Sequence, residues 1–368
     1  MREQDDPESA IATRGARMVD VARLAGVSQQ TVSRVVNGHS NVTADIRESV
    51  ERAIAQLRYR RNPAARALAT SRSMNLGIVS FGLGQYGPSV ALTGIIEEAR
   101  RAGYAANLIT LGAVDRSAMR AALDHLVADA VDGIVFLAPV AAALEALRGL
   151  DTGVPFVVFE PGAEASPTRV VTDEASGARL ATRHLLDLGH DTVWHVAGPQ
   201  GWLGSAARIR GWSQELSHAE RVTNEALVGN WTSQSGYEAG LTIAANPNIT
   251  AVFAANDQMA LGVLKALTEC GLRVPEDISV VGFDDVPESR FFQPSLTTIR
   301  VDFEEVGRLA VDRILKLMRA EELDPIPVIA PILVARSSSG PPPILPRRAR
   351  TSTAEVAPNT PPIHTKRK

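Results

Sequence analysis

The N-terminal fold of this 368-residue chain is decided by one stretch, Val21-Ala22-Arg23-Leu24-Ala25-Gly26-Val27-Ser28-Gln29-Gln30-Thr31-Val32-Ser33-Arg34-Val35-Val36-Asn37. A first short helix is predicted to end at Gly26, and Ser28 suits the N-cap of a second helix that closes at Gly38. A third helix is predicted from the cap residue Thr43 through Leu57, with apolar residues at helical spacing. Two short helices joined by a glycine-containing turn are typical of a helix-turn-helix.

The second helix carries side chains that can read DNA. Gln29, Gln30, Ser33 and Arg34 lie on one side, which leaves the valines for the core. Glutamine pairs with the adenine edge and arginine with the guanine edge in the major groove, and hydroxyls such as that of Ser28 can bind phosphate. The alternative is an ordinary polar surface helix, which spacing alone leaves open.

Charge is segregated along the chain, although the net charge is only −3. Residues 14–72 hold eleven arginines against four acids, residues 336–368 carry a net charge of +6, and residues 73–335 carry −13. A basic head on an acidic body indicates that the head meets a polyanion and the body does not, unless the clustering is chance.

Composition excludes several classes of protein. The chain is 45% hydrophobic and 21% charged, and its apolar runs, such as Val154–Phe159, have only the length of strands. This pattern predicts no membrane span, and the acidic start predicts no secretory signal. The lone Cys270 cannot form an internal disulfide. The expected location is therefore the cytoplasm.

The order of segments predicts several regions. Residues 1–17 are predicted to be disordered, 18–62 to form the DNA-binding domain, 63–73 a short hinge helix and linker, 74–336 the body, and 337–368 a disordered, proline-rich basic tail. Apolar strand-like runs alternate with helical stretches in the body, which predicts an α/β fold of doubly wound parallel sheets. The body is large for one such unit, so two lobes are expected. The predicted strands are Leu76–Ser80, Ala106–Leu111, Gly133–Ala138, Pro155–Phe159, Val170–Thr172, Thr192–Val196, Ala226–Val228, Ala251–Ala254 and Ile278–Gly282.

The opening stretch resembles the signature of the lactose-repressor/galactose-repressor family. Further matches extend the resemblance over about residues 18–340: Asn62-Pro63, Leu68-Ala69, Leu188-Gly189-His190, Ala197-Gly198-Pro199, Arg208, Gly211-Trp212, Ala255–Gly262, Ile278–Asp285 and Leu296–Ile299. The resemblance implies a bacterial, nucleoid-associated repressor with a three-helix helix-turn-helix domain and a periplasmic-binding-protein-like body. It implies an N-lobe of about 74–172 and 301–330, and a C-lobe of about 173–300 and 331–336.

For DNA binding, the resemblance implies that Gln29, Gln30 and Arg34 read bases. Leu68 matches a leucine whose two copies, one per subunit, wedge into the minor groove, in a hinge helix that folds only on DNA. Arg17 departs from the usual capping Ser or Thr, which weakens the start of the first helix but suits a phosphate contact. The predicted DNA-binding residues are Arg17, Ser28, Gln29, Gln30, Thr31, Ser33, Arg34, Asn37, Asn62, Ala65 and Leu68.

For the body, ligands of doubly wound sheets bind beyond the carboxyl ends of the strands, where this chain places carboxylates, amides and aromatic rings. That combination suits a polyhydroxylated ligand. By resemblance, Glu160, Arg208, Asn256 and Asp284 occupy sugar-hydroxyl positions, and Trp231 and Phe303 occupy stacking positions. Glu160 is longer than the family acid, and Val301 replaces a polar residue. The full predicted set is Phe81, Tyr86, Pro88, Glu160, Trp202, Arg208, Trp231, Asn256, Asp284 and Phe303, with Trp202 as a second aromatic wall.

Functions other than that of a regulator are less consistent with the sequence. A sugar hydrolase could use Glu160 and Asp284, but the sequence has no nucleophile motif, cofactor fingerprint or metal motif, so no enzyme, cofactor or metal is predicted. His184, His190 and His195 form no metal pattern with a cysteine. A sugar-binding transport protein would not carry the DNA-binding head. A family member that responds to a purine corepressor or a phosphoprotein stays open.

The sequence therefore predicts a homodimeric repressor on a pseudo-palindromic operator, with double-stranded DNA and a small sugar as partners and no membrane. The expected sugar is a β-linked disaccharide or glycoside that acts as an inducer. The family's tetramers use a C-terminal leucine-heptad helix, whereas residues 337–368 hold seven prolines and no such heptad, which predicts a dimer.

Overall fold

The structure, a computed structural model, describes residues 16–36, 38, 40–59, 72–112, 114–162, 166–325 and 327–344. These residues fall into two compact units that divide between Met74 and Asn75, here called the head and the body. The predictions for Asn37, Asn62, Ala65 and Leu68 lie outside the described residues, as do those for residues 1–15 and 345–368 and for most of the hinge segment.

The head is a three-helix unit around a small apolar core. Its helices are α1 (Met18–Ala25), α2 (Gln29–Val36) and α3 (Ala44–Gln56). Gly26 ends α1 in the left-handed conformation at φ 68°, where a side chain would be strained. The fully buried core residues are Val21, Val32 and Val50.

The first helix begins at Met18, earlier than its sequence pattern suggests. Arg17 has no side-chain acceptor for the free amides of the first turn, but the carboxylate of Asp20 accepts a hydrogen bond from the backbone N–H of Arg17 at 2.9 Å. Asp20 therefore binds the amide that precedes the helix, and the expected weakening of the helix start by Arg17 stays a prediction.

The body alternates strands and helices along most of its length. Its helices are α4 (Tyr86–Arg101), α5 (Arg116–Ala128), α6 (Ala141–Leu147), α7 (Glu174–Asp187), α8 (Leu203–His218), α9 (Ser233–Ala245), α10 (Asp257–Glu269) and α11 (Phe303–Met318), with a 3₁₀ turn at Pro287–Phe291. Its strands are β1 (Asn75–Ser80), β2 (Ala105–Thr110), β3 (Gly133–Leu137), β4 (Phe156–Phe159), β5 (Arg169–Val170), β6 (Trp194–Ala197), β7 (Leu227–Val228), β8 (Ala251–Ala254), β9 (Ser279–Asp284), β10 (Thr297–Arg300) and β11 (Ile332–Val334). Among the described residues, none of these helices is long and apolar enough to cross a membrane.

Two separate sheets define two lobes. The first has the strand order β2-β1-β3-β4-β5 and is parallel throughout, and the second has the order β11-β10-β9-β8-β6-β7 with only the β10–β11 pair antiparallel. Each of the nine predicted strands overlaps an observed one, whereas β10 and β11 were not predicted. The α/β fold with doubly wound parallel sheets is confirmed.

The chain passes between the lobes after β5, after β10 and after α11. Helix α11 packs against α4 and β4 of the first lobe, although it follows a strand of the second lobe. Two of the crossing segments lie side by side: the N–H of Asp173 donates to the carbonyl oxygen of Ile329 at 3.1 Å, and that of Ile329 to Val171 at 3.0 Å. Each lobe is therefore built from separated parts of the sequence.

The body also extends past residue 336, where the sequence predicted the tail to begin. Ser338 is fully buried, and its hydroxyl donates to the carbonyl oxygen of Val280 at 2.6 Å and accepts from the N–H of Thr297 at 2.8 Å. The carbonyl oxygen of Gly340 lies 2.9 Å from Nε2 of His190. The predicted boundary is wrong because short serines and a glycine, which read as linker residues, here supply hydrogen bonds to the second sheet.

Candidate functional site

The outer side of α2 presents the side chains predicted to read DNA. Gln29, Gln30 and Arg34 are exposed, while Val32 and Val35 of the same helix are buried. Within the described part of the chain, these three polar side chains have no hydrogen bond or ion pair. They are therefore available to a ligand.

The flanking hydroxyls of the head have local roles first. The hydroxyl oxygen of Ser28 accepts the backbone N–H of Thr31 at 3.1 Å and lies 2.9 Å from the Thr31 hydroxyl. Ser28 is thus the N-cap of α2, as its sequence position predicted. Thr31 and Ser33 are half-buried and Arg17 is exposed. Contacts of any of them with phosphate stay a prediction.

The body contains a narrow cleft between its lobes, with a cavity volume of about 50 Å³. Its walls come from both lobes and carry polar groups among apolar ones. Eight of the ten predicted residues line it: Tyr86, Pro88, Trp202, Arg208, Trp231, Asn256, Asp284 and Phe303. The other lining residues are Gln85, Gly87, Pro139, Phe159, Pro161, Glu174 and Gly204.

Arg208 of α8 is the centre of the cleft's polar groups. Its Nε donates to Glu174 at 2.7 Å, one terminal nitrogen donates to the carbonyl oxygen of Ala255, and the other lies 3.3 Å from Asp284. The guanidinium also stacks on Phe283, 3.7 Å from the ring centroid. Burial works against the charge of Arg208, but the two carboxylates outweigh it and raise the guanidinium pKa.

Two consecutive acids at the end of β9 point to different partners. Asp284 faces Arg208, whereas Asp285 pairs with Arg300 at 2.6 Å and also with Arg336. Both residues have positive φ, 103° for Asp284 and 53° for Asp285, a strained conformation for residues with a side chain. Burial raises the pKa of Asp284 to about 8, although Arg208 acts to lower it. Asp284 is therefore held as a poorly solvated acid that can donate or accept a hydrogen bond.

The side chains of Asn256 and Asp257 form hydrogen bonds mainly within the protein. Asn256 caps α10 by accepting the N–H of Met259 at 2.9 Å, and its amide nitrogen donates to the carbonyl oxygen of Trp231 at 3.1 Å. Asp257, the first residue of α10, accepts hydrogen bonds from the hydroxyls of Ser289 and Thr298. Burial raises the pKa of Asp257 to about 6. Asn256 can therefore still accept a hydrogen bond from a ligand through its side-chain oxygen.

Aromatic rings wall the cleft on both sides. Trp231 has a positive φ of 71°, and its indole N–H is buried without a partner among the described residues. Phe303 lies edge-on to Tyr86, with centroids 6.3 Å apart. Burial and then Asp284 raise the pKa of the Tyr86 hydroxyl. The walls thus combine flat apolar faces with polar edges, which suits a ring that carries hydroxyls.

Two predicted residues do not line the cleft. The Phe81 ring packs beside that of Trp202, with centroids 6.2 Å apart, and contacts the core of the first lobe. The carboxylate of Glu160 lies 3.4 Å from the guanidinium of Arg169, while its neighbours Phe159 and Pro161 line the cleft. Both residues follow strands, so their position along the sequence is as expected. The direction of their side chains removes them from the ligand set.

Glu174 is the polar residue that sequence reasoning missed. It is fully buried, accepts hydrogen bonds from Arg208 and from the hydroxyl of Thr172 at 3.0 Å, and lines the cleft. Its sequence signal was available, since it opens a helix directly after the predicted strand Val170–Thr172. The rule that ligands bind beyond strand ends would have included it.

The histidines of the body have structural partners. His195 is stacked on Phe253, with centroids 4.6 Å apart, and burial lowers its pKa to about 4. His184 lies 2.8 Å from the Ser339 hydroxyl. In the described ranges, no group of three or more His, Cys, Asp or Glu side chains could hold a metal ion.

Comparison with known proteins finds matches in both the head and the body. Residues 17–62 match the bacterial regulatory proteins of the lacI family, and residues 182–339 match a periplasmic binding protein-like domain. The lactose operon repressor of Escherichia coli is 36% identical over 331 residues, which cover 88% of this chain and 90% of that protein. The repressor PurR of Haemophilus influenzae is 34% identical over 308 residues, covering 82% and 90%.

Comparison with solved structures also finds transcriptional regulators. The lac repressor dimer bound to operator and the anti-inducer ONPF is similar with a TM-score of 0.77 and 32% identity, covering 88% of this chain and 99% of that one. A complex of the transcriptional regulator CelR with cellobiose has a TM-score of 0.63 and 30% identity, covering 88% and 100%. The head, the two-lobed body and these relatives together show that the chain belongs to the lacI family of bacterial regulatory proteins and is a DNA-binding transcriptional repressor.

Proposed function

We propose that a sugar controls this repressor, namely a β-linked disaccharide or glycoside that enters the cleft and lowers operator affinity. The observation that carries the proposal is the buried cluster of Arg208, Glu174 and Asp284 beside the indole of Trp231. Charged and amide groups hydrogen-bond vicinal hydroxyls, while an indole face covers the C–H face of a sugar ring.

The relatives support the class of ligand. CelR has been solved with cellobiose, and the lac repressor with ONPG in its repressed state. A purine stays the second candidate that the sequence leaves open, since the repressor PurR, at 34% identity, is nearly as similar to this chain as the lactose operon repressor at 36%. Charged groups in the cleft favour the sugar, since a purine presents fewer hydroxyl-like donors to paired carboxylates.

The mechanism that fits is a change in lobe arrangement coupled to the heads. A homodimer would place its two copies of α2 in successive major grooves of a pseudo-palindromic operator, with Gln29, Gln30 and Arg34 on base edges. Such coupling is typically about 1–3 kcal/mol, and it is reciprocal, so operator DNA must weaken sugar binding by the same factor.

Calorimetry on the full-length protein tests the ligand class. Cellobiose, ONPG, hypoxanthine and guanine are titrated in turn, and operator binding is then measured with each compound that binds. We expect binding of at least one sugar and loss of operator affinity. Tight binding of a purine with no binding of either sugar would overturn the assignment.

The variant Asp284→Ala tests the site. It should abolish the sugar response while operator binding persists, because the head does not depend on the carboxylate. Asp312→Ala, which removes a half-buried acid on α11 whose ion pair is with Lys316, is the control. A full sugar response in Asp284→Ala would show that the ligand binds elsewhere.

Assembly is proposed to stop at the dimer. Sedimentation of the full chain should give twice the mass of the monomer. A tetramer that is lost when the chain is cut after Gly340 would refute the dimer and assign the extra contact to the tail.

A further inference from the structure

One loop of each lobe reaches across the cleft and caps a helix of the other lobe. Gly201-Trp202-Leu203 follows β6 in the second lobe, and Pro139-Val140-Ala141 follows β3 in the first. The N–H of Leu203 donates to the carbonyl oxygen of Pro139 at 2.9 Å, and the N–H of Ala141 donates to that of Gly201 at 2.9 Å. Val140 and Trp202 thereby form an antiparallel bridge.

Both donors are the first residues of helices. Ala141 begins α6 and Leu203 begins α8, and the first N–H groups of a helix have no partner inside it. Each lobe therefore supplies the acceptor that the other lobe's helix lacks. If the lobes separated, the N–H groups of Ala141 and Leu203 would have to donate to water instead.

The indole of Trp202 adds apolar contact on both sides of the cleft. It packs against the core clusters of both lobes and lies 6.2 Å from Phe81 and 5.7 Å from Trp231 between ring centroids. Its plane is at 78° to that of Trp231. Two perpendicular rings in contact do not offer parallel faces to successive sugar rings, so Trp202 has another role.

Gly82 of the first lobe makes room for this indole. A Cβ on Gly82 would stand 2.7 Å from the nearest indole carbon, and its φ of +72° already favours glycine. The indole of Trp202 therefore packs against the first lobe, although the residue belongs to the second lobe.

We propose that Gly201–Leu203, Pro139–Ala141 and the indole of Trp202 packed on Gly82 form a clasp that holds the two lobes closed, and that effector enters only when the clasp opens. The clasp deepens the proposed function, because it would regulate entry to the proposed sugar cleft. Trp202 then sets the balance between open and closed lobes and is not a second stacking platform.

Hydrogen–deuterium exchange of the full-length protein without ligand tests the clasp directly. Peptides that report on Ala141 and Leu203 should be protected in the wild type. Trp202→Ala should speed exchange at both amides by roughly tenfold, the amount expected from losing aromatic contacts that stabilise a local closed state. No sugar is needed, so a failure of the proposed ligand class leaves this test unaffected.

Gly82→Ala provides a second variant from the opposite lobe, in case Trp202→Ala fails to fold. It should speed exchange at the same two amides. Gly149→Ala is the matched control, since Gly149 has a similar φ of +67° but open space around its Cβ position, and it should leave both amides protected.

Two results would overturn the clasp. One is free exchange of both amides in the wild type. The other is unchanged exchange of both amides in Trp202→Ala and in Gly82→Ala.

Discussion

Arg34 in the head and Arg208 in the body are both predicted to bind a ligand, yet their surroundings are opposite. Arg34 is exposed on α2 and, within the described residues, has no partner. Arg208 is buried between two carboxylates, a carbonyl oxygen and an aromatic ring. The donors of Arg34 thus have no partner among the described residues, whereas those of Arg208 are already bonded within the chain.

The difference teaches how each site can respond. An exposed arginine gains its hydrogen bonds on binding DNA and costs the free protein little. A buried, paired arginine is part of the fold, so a sugar must share or exchange its contacts with Glu174 and Asp284. Such exchange offers a route by which ligand contacts can alter the protein around them.

The largest effect should separate the two arginines by stability. Arg208→Ala leaves Glu174 and Asp284 buried beside no cation, which should lower the free energy of unfolding of the body by about 3–5 kcal/mol. Arg34→Ala should leave it unchanged. Urea denaturation followed by tryptophan fluorescence measures both. Equal losses of unfolding free energy in the two variants would show that Arg34 and Arg208 do not differ in their contribution to the fold.

A pH profile sharpens the picture of the buried site. The pKa of Asp284 is raised to about 8, so its contribution to stability is present below its unfolded value near 4 and is lost as the pH rises through about 8. Asp284→Asn keeps an acceptor for Arg208 but does not titrate. Between pH 5 and 7 the wild type should lose stability relative to this variant by on the order of 1 kcal/mol per pH unit. Parallel denaturation profiles would contradict the raised pKa.

The next test addresses the exposed arginine by DNA binding. Arg34→Ala should lower affinity for the specific operator by about 1–3 kcal/mol and affinity for random DNA far less, because a base contact carries the sequence information. Arg52→Ala, which removes an exposed arginine from α3, is the control. Fluorescence anisotropy on both DNAs measures the losses, and equal losses for Arg34→Ala would make Arg34 a phosphate contact.

The smallest expected effect concerns Leu68, which lies between the two compared sites in the sequence. Leu68→Ser should leave sugar binding intact and lower operator affinity by roughly 1–2 kcal/mol, somewhat less than the transfer value of a buried leucine. DNA bending should fall in a circular-permutation gel assay. Unchanged bending would sink the wedge hypothesis.

Strands and helices of the body were predictable where periodicity was strong. The run Gly133–Ala138 is buried on both faces, and a continuous apolar segment signals that directly. Strand β10 was missed because Thr297-Thr298 reads as polar, although both threonines are fully buried. Their environment comes from distant chain, here the carboxylate of Asp257 for Thr298, which local patterns do not show.

The sequence predicted which strand ends lie at the cleft, but it did not predict which side chains point into it. Asp284 was found because it ends a strand at the edge of the sheet that meets the cleft, whereas Arg208, which lies within α8, was found through the family resemblance. Glu160 was placed there on the same rule, yet its pairing with Arg169 depends on a neighbouring strand. Trp202 was read as a wall because the sequence does not show that Gly82 receives its indole from the other lobe.

The passage of the chain between the lobes also has a consequence for biosynthesis. When β1 to β5 have emerged from the ribosome, α11 has not yet been synthesised. This helix, at Phe303–Met318, packs on the first lobe. The second lobe likewise waits for β11 and for Ser338. The head, made first, can fold while both lobes are incomplete. At bacterial elongation rates of about 5–20 residues per second, β1 to β5 stay without their last helix for roughly 7–30 s, and during that time nascent-chain chaperones have access to their uncovered apolar faces.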